Sequence, residues 1–336
     1  GASIPAGLDS GSTTAAGDAI AETLLTEGKH AIFLGNVAEQ SEHAGQIQAL
    51  AAELAKLTGA TFGFIGEAAN SVGGYVAQAV PTALDTYAMF AQPRHAYVLF
   101  GVEPELDCHN PQLAVAALKQ AALTVMLTAF KSDATLDYAD ALLPIAPFTE
   151  TSGTFVSTEG RVQSFAGVNR PLGEARPGWK VLRVLGNLLA LPGFAYASSE
   201  EVRDEVIPAN TEFVEGLDNQ LSEANLVAWA PPEPADDWQR IADVPIYFAD
   251  PLVRRAPPLQ KTHDAALPSA RMNSASLAKA GVTAGSSVRI RQGDGEALLT
   301  AVLDEGVPPG CVRIAAAHAA TAALGDMFGT IVMERA

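Results

Sequence analysis

The chain has 336 residues, 48% hydrophobic and 18% charged, the profile of a folded globular protein and not of a disordered one. That length can bury a large core and suggests two domains. The formal net charge is −17, a sign that repels phosphate backbones and excludes nucleic acid as a partner.

No window approaches the roughly 18 apolar residues of a membrane helix. The best candidate, Ala121 to Phe130, is shorter and broken by threonines, so no direct membrane insertion is expected. The two cysteines are Cys108 and Cys311. An iron–sulfur cluster or a structural zinc calls for about four ligands, so no metal site is expected on this chain. The opening Gly-Ala-Ser-Ile-Pro has no charged n-region and no apolar core, so it is no signal peptide and reads as the start of an excised fragment.

Residues 1–28 form a Gly, Ser, Thr and Ala-rich lead-in with one helix from Ala15 to Leu25. An α/β unit is expected over 29–198. Its first strand, Ala31 to Leu34, ends at Gly35, and the helix after it repeats Ile47, Leu50, Leu54 and Leu57 before Gly59 stops it. Thr61 to Ile65 is the second strand, closed by Gly66, and Tyr97 to Phe100 is the third, ending at Gly101. Asn110 then caps a helix that has Pro111 at its first position and Leu113, Ala117 and Ala121 on its apolar face. Leu123 to Leu127 and Ala141 to Leu143 complete five strands, and a helix opened by Pro177 runs to Leu189 with Gly193 as its stop. Strands and helices alternating in this way imply βαβ units and a parallel, Rossmann-like sheet.

Residues 199–243 read as an acidic helical linker region. Between Glu200 and Asp243 twelve carboxylates face only Arg203 and Arg240, with a helical pattern in Glu212 to Leu226 and a linker at Pro231, Pro232 and Pro234. This stretch is either a solvated face or an acidic docking surface for a basic neighbour. Over 244–336 the expected strands are Pro245 to Phe248, Ser287 to Arg291, Ala297 to Leu303 and Cys311 to Ala315. Turns at Gly293-Asp294-Gly295 and Pro308-Pro309-Gly310 separate them and point to a small β-barrel. Trp238 and Tyr247 flank the linker and are expected to anchor one domain on the other.

The segment Ala139 to Gln163 reads ADALLPIAPFTETSGTFVSTEGRVQ. It resembles the molybdopterin oxidoreductase family, and its wording resembles the G subunit of bacterial NADH:quinone oxidoreductase, respiratory complex I. Further matches follow in the same order: Gly35, Gln40 and Gly45; Asn70-Ser-Val-Gly-Gly74; Asp250-Pro-Leu-Val-Arg-Arg255 with Gln260 and Thr262; and Asn273 to Gly285. The resemblance implies an α/β, parallel-sheet domain followed by a small, truncated double-psi-like β-barrel domain.

It further implies a scaffold portion of that subunit, with no cofactor of its own and iron–sulfur clusters in the part upstream. Its partners would be other peripheral-arm subunits of complex I, at the cytoplasmic face and peripheral to the inner membrane. The strand ends Gly35, Asn36, Gly66, Gly101, Glu103 and Thr128 would line a vestigial cofactor crevice. In Gly101-Val-Glu-Pro104 the resemblance breaks, because members that bind the cofactor show Asn where this chain has Glu103. A carboxylate about 5 Å from a pyrophosphate is repelled by roughly 3 kcal/mol per charge pair at an effective dielectric near 20. Two alternatives stand beside the scaffold: the cofactor-contacting half of an active, formate dehydrogenase-like molybdenum oxidoreductase, and a non-catalytic nucleotide- or pterin-binding module.

No Walker loop, Gly-x-Gly-x-x-Gly, His-Glu-x-x-His or Gly-x-Ser-x-Gly pattern is present. Glu150, Gly153, Thr154, Glu159, Gly160, Arg161 and Gln163 are read as a structural motif. Tight turns at the glycines need side chains that satisfy loop amides and carbonyls, and no catalytic residue is expected.

Overall fold

A computed structural model describes residues 14–41, 43–207 and 237–336. The pattern Glu212 to Leu226 and the linker at Pro231, Pro232 and Pro234 lie outside the described residues. The chain divides into two compact units. One draws on Gly1–Gln78, Thr154–Gln163 and Asp204–Ala235, the other on Ala79–Gly153, Ser164–Arg203 and Asp236–Ala336.

In the first unit, helix Ala15–Leu24 starts where Thr14 Oγ1 accepts from Gly17 N at 3.1 Å. Strands β1 (Ala31–Leu34) and β2 (Thr61–Phe64) pair in parallel, Ala31 opposite Thr61 and Leu34 opposite Phe64. Helix Ala44–Thr58 makes the crossover, and Gly59 ends it in the left-handed region at φ 70°. The buried face of this helix is not the expected leucine stripe. Ala51 and Ala55 are buried while Leu57 is 54% exposed and Leu50 and Leu54 are exposed too, so small side chains bring the helix close to the strands.

In the second unit, β3 (Ala96–Phe100), β4 (Leu123–Thr128) and β5 (Ala141–Pro144) form a parallel sheet in that order. The five expected strands are therefore all present, in parallel sheets of two and three. Helix Pro111–Gln120 starts as expected, Asn110 Oδ1 accepting from Leu113 N at 2.9 Å, and it buries Ala114, Ala117 and Leu118. These pack with Phe90, Tyr97, Met126 and Tyr138 into one core. Tyr97 is held at its polar tip, donating to Met89 O at 2.8 Å and accepting from Arg94 N at 2.9 Å.

Strands β6 (Gly153–Val156) and β7 (Val162–Phe165) form a two-stranded ribbon. Helix Gly178–Leu188 begins beside Phe100, where a Cβ on Gly178 would lie 2.5 Å from the ring. That close approach explains a glycine at the first helical position.

The carboxyl-terminal part of the second unit contains a closed barrel. Its strands are β8 (Trp238–Ile241), β9 (Ala270–Met272), β10 (Ser287–Gln292), β11 (Gly295–Leu303), β12 (Cys311–Arg313) and β13 (Phe328–Arg335). Their order is β10-β11-β9-β12-β8-β13, with β13 returning to β10. Met272, Val288, Ile290, Leu299, Val312, Ile314 and Leu324 fill the interior. Sequence reading locates β10, β11 and β12, but Pro245 to Phe248 is no strand. It closes a turn in which Phe248 N donates to Pro245 O at 2.8 Å, and this buries the Phe248 ring. No described helix is long and apolar enough to cross a membrane.

Candidate functional site

The end of β3 carries a buried, paired carboxylate. The backbone turns there at Gly101, φ +66°, where a Cβ would meet nothing within 4 Å. Two residues on, Glu103 is 2% exposed. Its backbone N–H donates to Asp107 Oδ2 at 2.6 Å, which ties off the short turn Pro104–Asp107.

A carboxylate that deep is stable only when paired. Two arginines pair it. Arg254 Nη1 donates to Glu103 Oε2 at 2.9 Å, Arg255 Nη1 donates to the same oxygen at 3.0 Å, and Arg255 Nη2 takes Oε1. Arg254 Nη2 also pairs with Asp107 Oδ1, and Arg254 itself is only 8% exposed. Two positive and two negative charges therefore balance. Burial by itself raises the Glu103 carboxyl, but the bonds from Arg255 and Arg254 outweigh it and hold the group below its ordinary value.

The segment Asp250 to Arg255 is built to present those guanidinium groups. Asp250 Oδ1 accepts from Leu252 N at 2.6 Å and Val253 N at 3.3 Å, and Pro251 starts the helical turn Pro251–Arg254. Gln260 Nε2 ties two carbonyls, Tyr247 O at 3.0 Å and Val253 O at 2.9 Å. Arg254 Nε donates to Phe248 O at 2.7 Å, Arg255 Nη1 donates to Pro251 O at 3.0 Å, and the Phe130 ring lies 4.5 Å beneath Arg255. Sequence reading singles out Glu103 and the Asp250 to Arg255 wording separately, but the pairing is missed. The available signal is charge complementarity between them.

A second polar seam runs between helix Pro111–Gln120 and the barrel. Gln112 Nε2 donates to Gln292 O at 2.9 Å and Ala323 O at 2.6 Å, and Asn110 Nδ2 donates to Asp326 Oδ1 at 2.9 Å. Behind it, buried Arg240 donates through Nη1 to Gln292 Oε1 at 3.0 Å, Gly325 O at 3.2 Å and Asp326 O at 3.0 Å. Burial pulls Arg240 down to about 10, opposed by the Asp326 charge.

The other expected crevice residues are placed as follows. Thr128 Oγ1 closes on its own loop, donating to Phe130 O at 2.9 Å and accepting from Phe130 N at 3.1 Å. Gly35 precedes the turn Asn36–Glu39 in the first unit, where Asn36 is exposed, and Gly66 sits against Ser71. Beside them burial raises the Glu39 and Glu67 carboxyls, with the Glu39 charge adding to the rise at Glu67. Gly35, Asn36 and Gly66 belong to one unit and Gly101, Glu103 and Thr128 to the other. The repulsion expected from Glu103 is corrected by its pairing, since a neutralised cluster has no net charge to set against a phosphate.

Part of the motif bonds backbone and part of it is exposed. Asn70 Oδ1 accepts from Val156 N at 2.8 Å, and a Cβ on Gly73 would lie 2.0 Å from that oxygen, so Gly73 makes room for Asn70. Gly160, φ +79°, donates to Ser157 O at 2.8 Å, and Ser157 N donates to Arg161 O at 3.0 Å. Glu159, Arg161 and Gln163 are exposed, Thr154 lies in β6, and Gly153 packs against Phe165. Glu150 Oε2 accepts from Leu172 N at 3.2 Å.

Reactive groups are few. Burial, then Asp107 and Glu105, pushes the Cys108 thiol up to about 12, and burial followed by the Glu105 bond raises the Tyr138 phenol. Among the described residues no group of three or more His, Cys, Asp or Glu is placed to hold a metal ion.

The family model described as Molybdopterin oxidoreductase matches residues 6–188, more than half of the chain. A protein of Staphylococcus aureus strain MRSA252 named "Putative formate dehydrogenase" is 31% identical over 112 residues, 33% of this chain and 11% of that protein. Its counterpart in strain USA300, named likewise, is 29% identical over 135 residues, 40% of this chain and 14% of that protein. Those matches thus span a small part of the relatives' own length. Among solved structures, acetylene hydratase from Pelobacter acetylenicus superposes with a TM-score of 0.52 at 16% identity, covering 74% of this chain and 46% of that one, a likeness of fold alone.

Proposed function

Because the chain belongs to the molybdopterin oxidoreductase family, we propose that it is a structural portion of a formate dehydrogenase-like oxidoreductase whose redox centre is held elsewhere in the protein. The relatives named as formate dehydrogenases support the chemistry. The structural role rests on one observation. Both guanidinium groups at the end of β3 are engaged by Glu103 and Asp107, within the chain itself.

The cofactor that the family name implies is an anionic, phosphate-bearing pterin, and the described strand ends do not fit it. Arg254 and Arg255 have no free fork to offer a phosphate, Thr128 is satisfied by its own loop, and Glu39 and Glu67 add carboxylates beside Gly35 and Gly66. No chemical step is assigned to these residues. Their contribution is structural: polar bonds tie helix Pro111–Gln120 to the barrel and the Asp250 to Arg255 turn to the end of β3.

A second reading is the scaffold portion of the G subunit of respiratory NADH:quinone oxidoreductase, docked to peripheral-arm subunits at the cytoplasmic face of the inner membrane. The Asp250-Pro-Leu-Val-Arg-Arg255 wording favours it, since those arginines are the groups that fill the strand end. The molybdenum, iron and acid-released pterin contents of the full-length protein, purified natively, separate the two. Molybdenum near one per chain with pterin supports the formate dehydrogenase-like reading. Iron without either overturns it in favour of the respiratory scaffold.

A further inference from the structure

We propose that Arg254 and Arg255 form an anion seat at the carboxyl end of β3, and that the Glu103 carboxylate is its built-in occupant, standing where a phosphate of a pyrophosphate-bearing ligand would bind. This deepens the reading above, on which it rests, that these strand ends hold no cofactor phosphate.

Three observations carry it. The first is the donor pattern. Three guanidinium nitrogens from two adjacent arginines converge on the two oxygens of one carboxylate, Arg255 spanning both and Arg254 adding a third bond at 2.9 Å. A planar fork of this kind recognises carboxylate and phosphate alike.

The second is that the seat does not depend on Glu103 for its shape. Arg254 is fixed by its Nε bond to Phe248 O at 2.7 Å and by Asp107, and Arg255 by Pro251 O at 3.0 Å and the Phe130 ring. With the carboxylate removed, the cluster changes from balanced to one net positive charge, and its guanidinium groups keep their anchors.

The third is position. Ligands of open parallel sheets bind beyond the carboxyl ends of the strands. Glu103 follows β3 by three residues, just past Gly101, whose positive φ and empty Cβ space leave the approach to the backbone open.

The test uses the full-length protein and inorganic pyrophosphate as the probe, with sodium chloride at matched ionic strength as the control, read by thermal unfolding. Wild type is expected to show the same Tm in both salts. Glu103→Ala is expected to start several degrees lower and to recover with added pyrophosphate in a saturable way, as a ligand of the folded state must. Adding Arg255→Gln to that variant is expected to abolish the recovery. Should the alanine variant fail to fold, Glu103→Gln keeps the size without the charge and is expected to show the gain at higher pyrophosphate.

An equal pyrophosphate shift in wild type and Glu103→Ala, or a folded Glu103 variant indifferent to pyrophosphate, overturns the proposal. Molybdenum and pterin in the same wild-type preparation test the functional reading separately. A metal-loaded but pyrophosphate-indifferent wild type leaves the seat intact and places the cofactor on other residues.

Discussion

Glu103 and Arg255 lie 152 residues apart in sequence, yet Arg255 Nη1 donates to Glu103 Oε2 at 3.0 Å and Nη2 reaches Oε1. The pair joins the end of β3 to the turn that leads into the barrel, and Arg254 makes it a triad. A buried carboxylate stripped of one such partner is left uncompensated, which costs about 3–5 kcal/mol. Arg254→Ala is therefore expected to lower unfolding stability by about that much, because Arg254 serves both Glu103 and Asp107. Urea unfolding at neutral pH measures it, and a loss below about 1 kcal/mol would contradict the pairing.

The pairing also sets an acid limb. The Glu103 carboxyl is held below its ordinary value of 4.5, so the unfolded chain takes up its proton first. The stability it contributes is complete above pH 4.5 and is lost as the pH falls through the lower folded value. Stability measured from pH 5 downward is expected to fall less steeply in Glu103→Gln than in wild type.

His318 titrates in a separate window. Its Nδ1 accepts from Ala320 N at 3.0 Å, the Phe248 ring packs at 4.8 Å, and burial lowers it from 6.5. The unfolded chain again protonates first, so stability is expected to decline as the pH falls below about 6.5. His318→Gln is expected to flatten the urea midpoint between pH 7.5 and 5.5, and an unchanged slope would rule this out.

Cys108 is expected to be inert. A thiol pushed up to about 12 is almost wholly protonated at pH 8, and the thiolate is the reactive form. Labelling by a thiol reagent at that pH should track global unfolding and should not show a fast native phase at Cys108.

Gly295 has no room for a side chain. A Cβ there would lie 1.7 Å from the Ala323 carbonyl oxygen and 2.6 Å from Gln112 Nε2. Since the first neighbour is backbone, Gly295→Ala must displace β11 or the seam with Gln112. A destabilisation of about 2 kcal/mol or more is expected by thermal or urea unfolding.

Short-range chemistry was legible in the sequence alone. Asn110 with Pro111, and Gly59 at a helix end, act within a few residues, so their pattern carries the outcome with it. The five parallel strands were legible for the same reason, each an apolar run closed by a turn signal. The sequence by itself thus determined the strands of the α/β portion and the glycine turns.

What only the tertiary structure decided depends on distant partners. Leu50, Leu54 and Leu57 have helical spacing, yet Ala51 and Ala55 face inward because close packing on the strands selects small residues there. β8 and β13 become barrel strands because each supplies the other's hydrogen bonds, across about ninety residues, and neither run announces that partner. Glu103, read in isolation, is a charge that repels phosphate. Its character was set by two arginines that the fold brings to it, since the effect of a buried charge depends on what neutralises it.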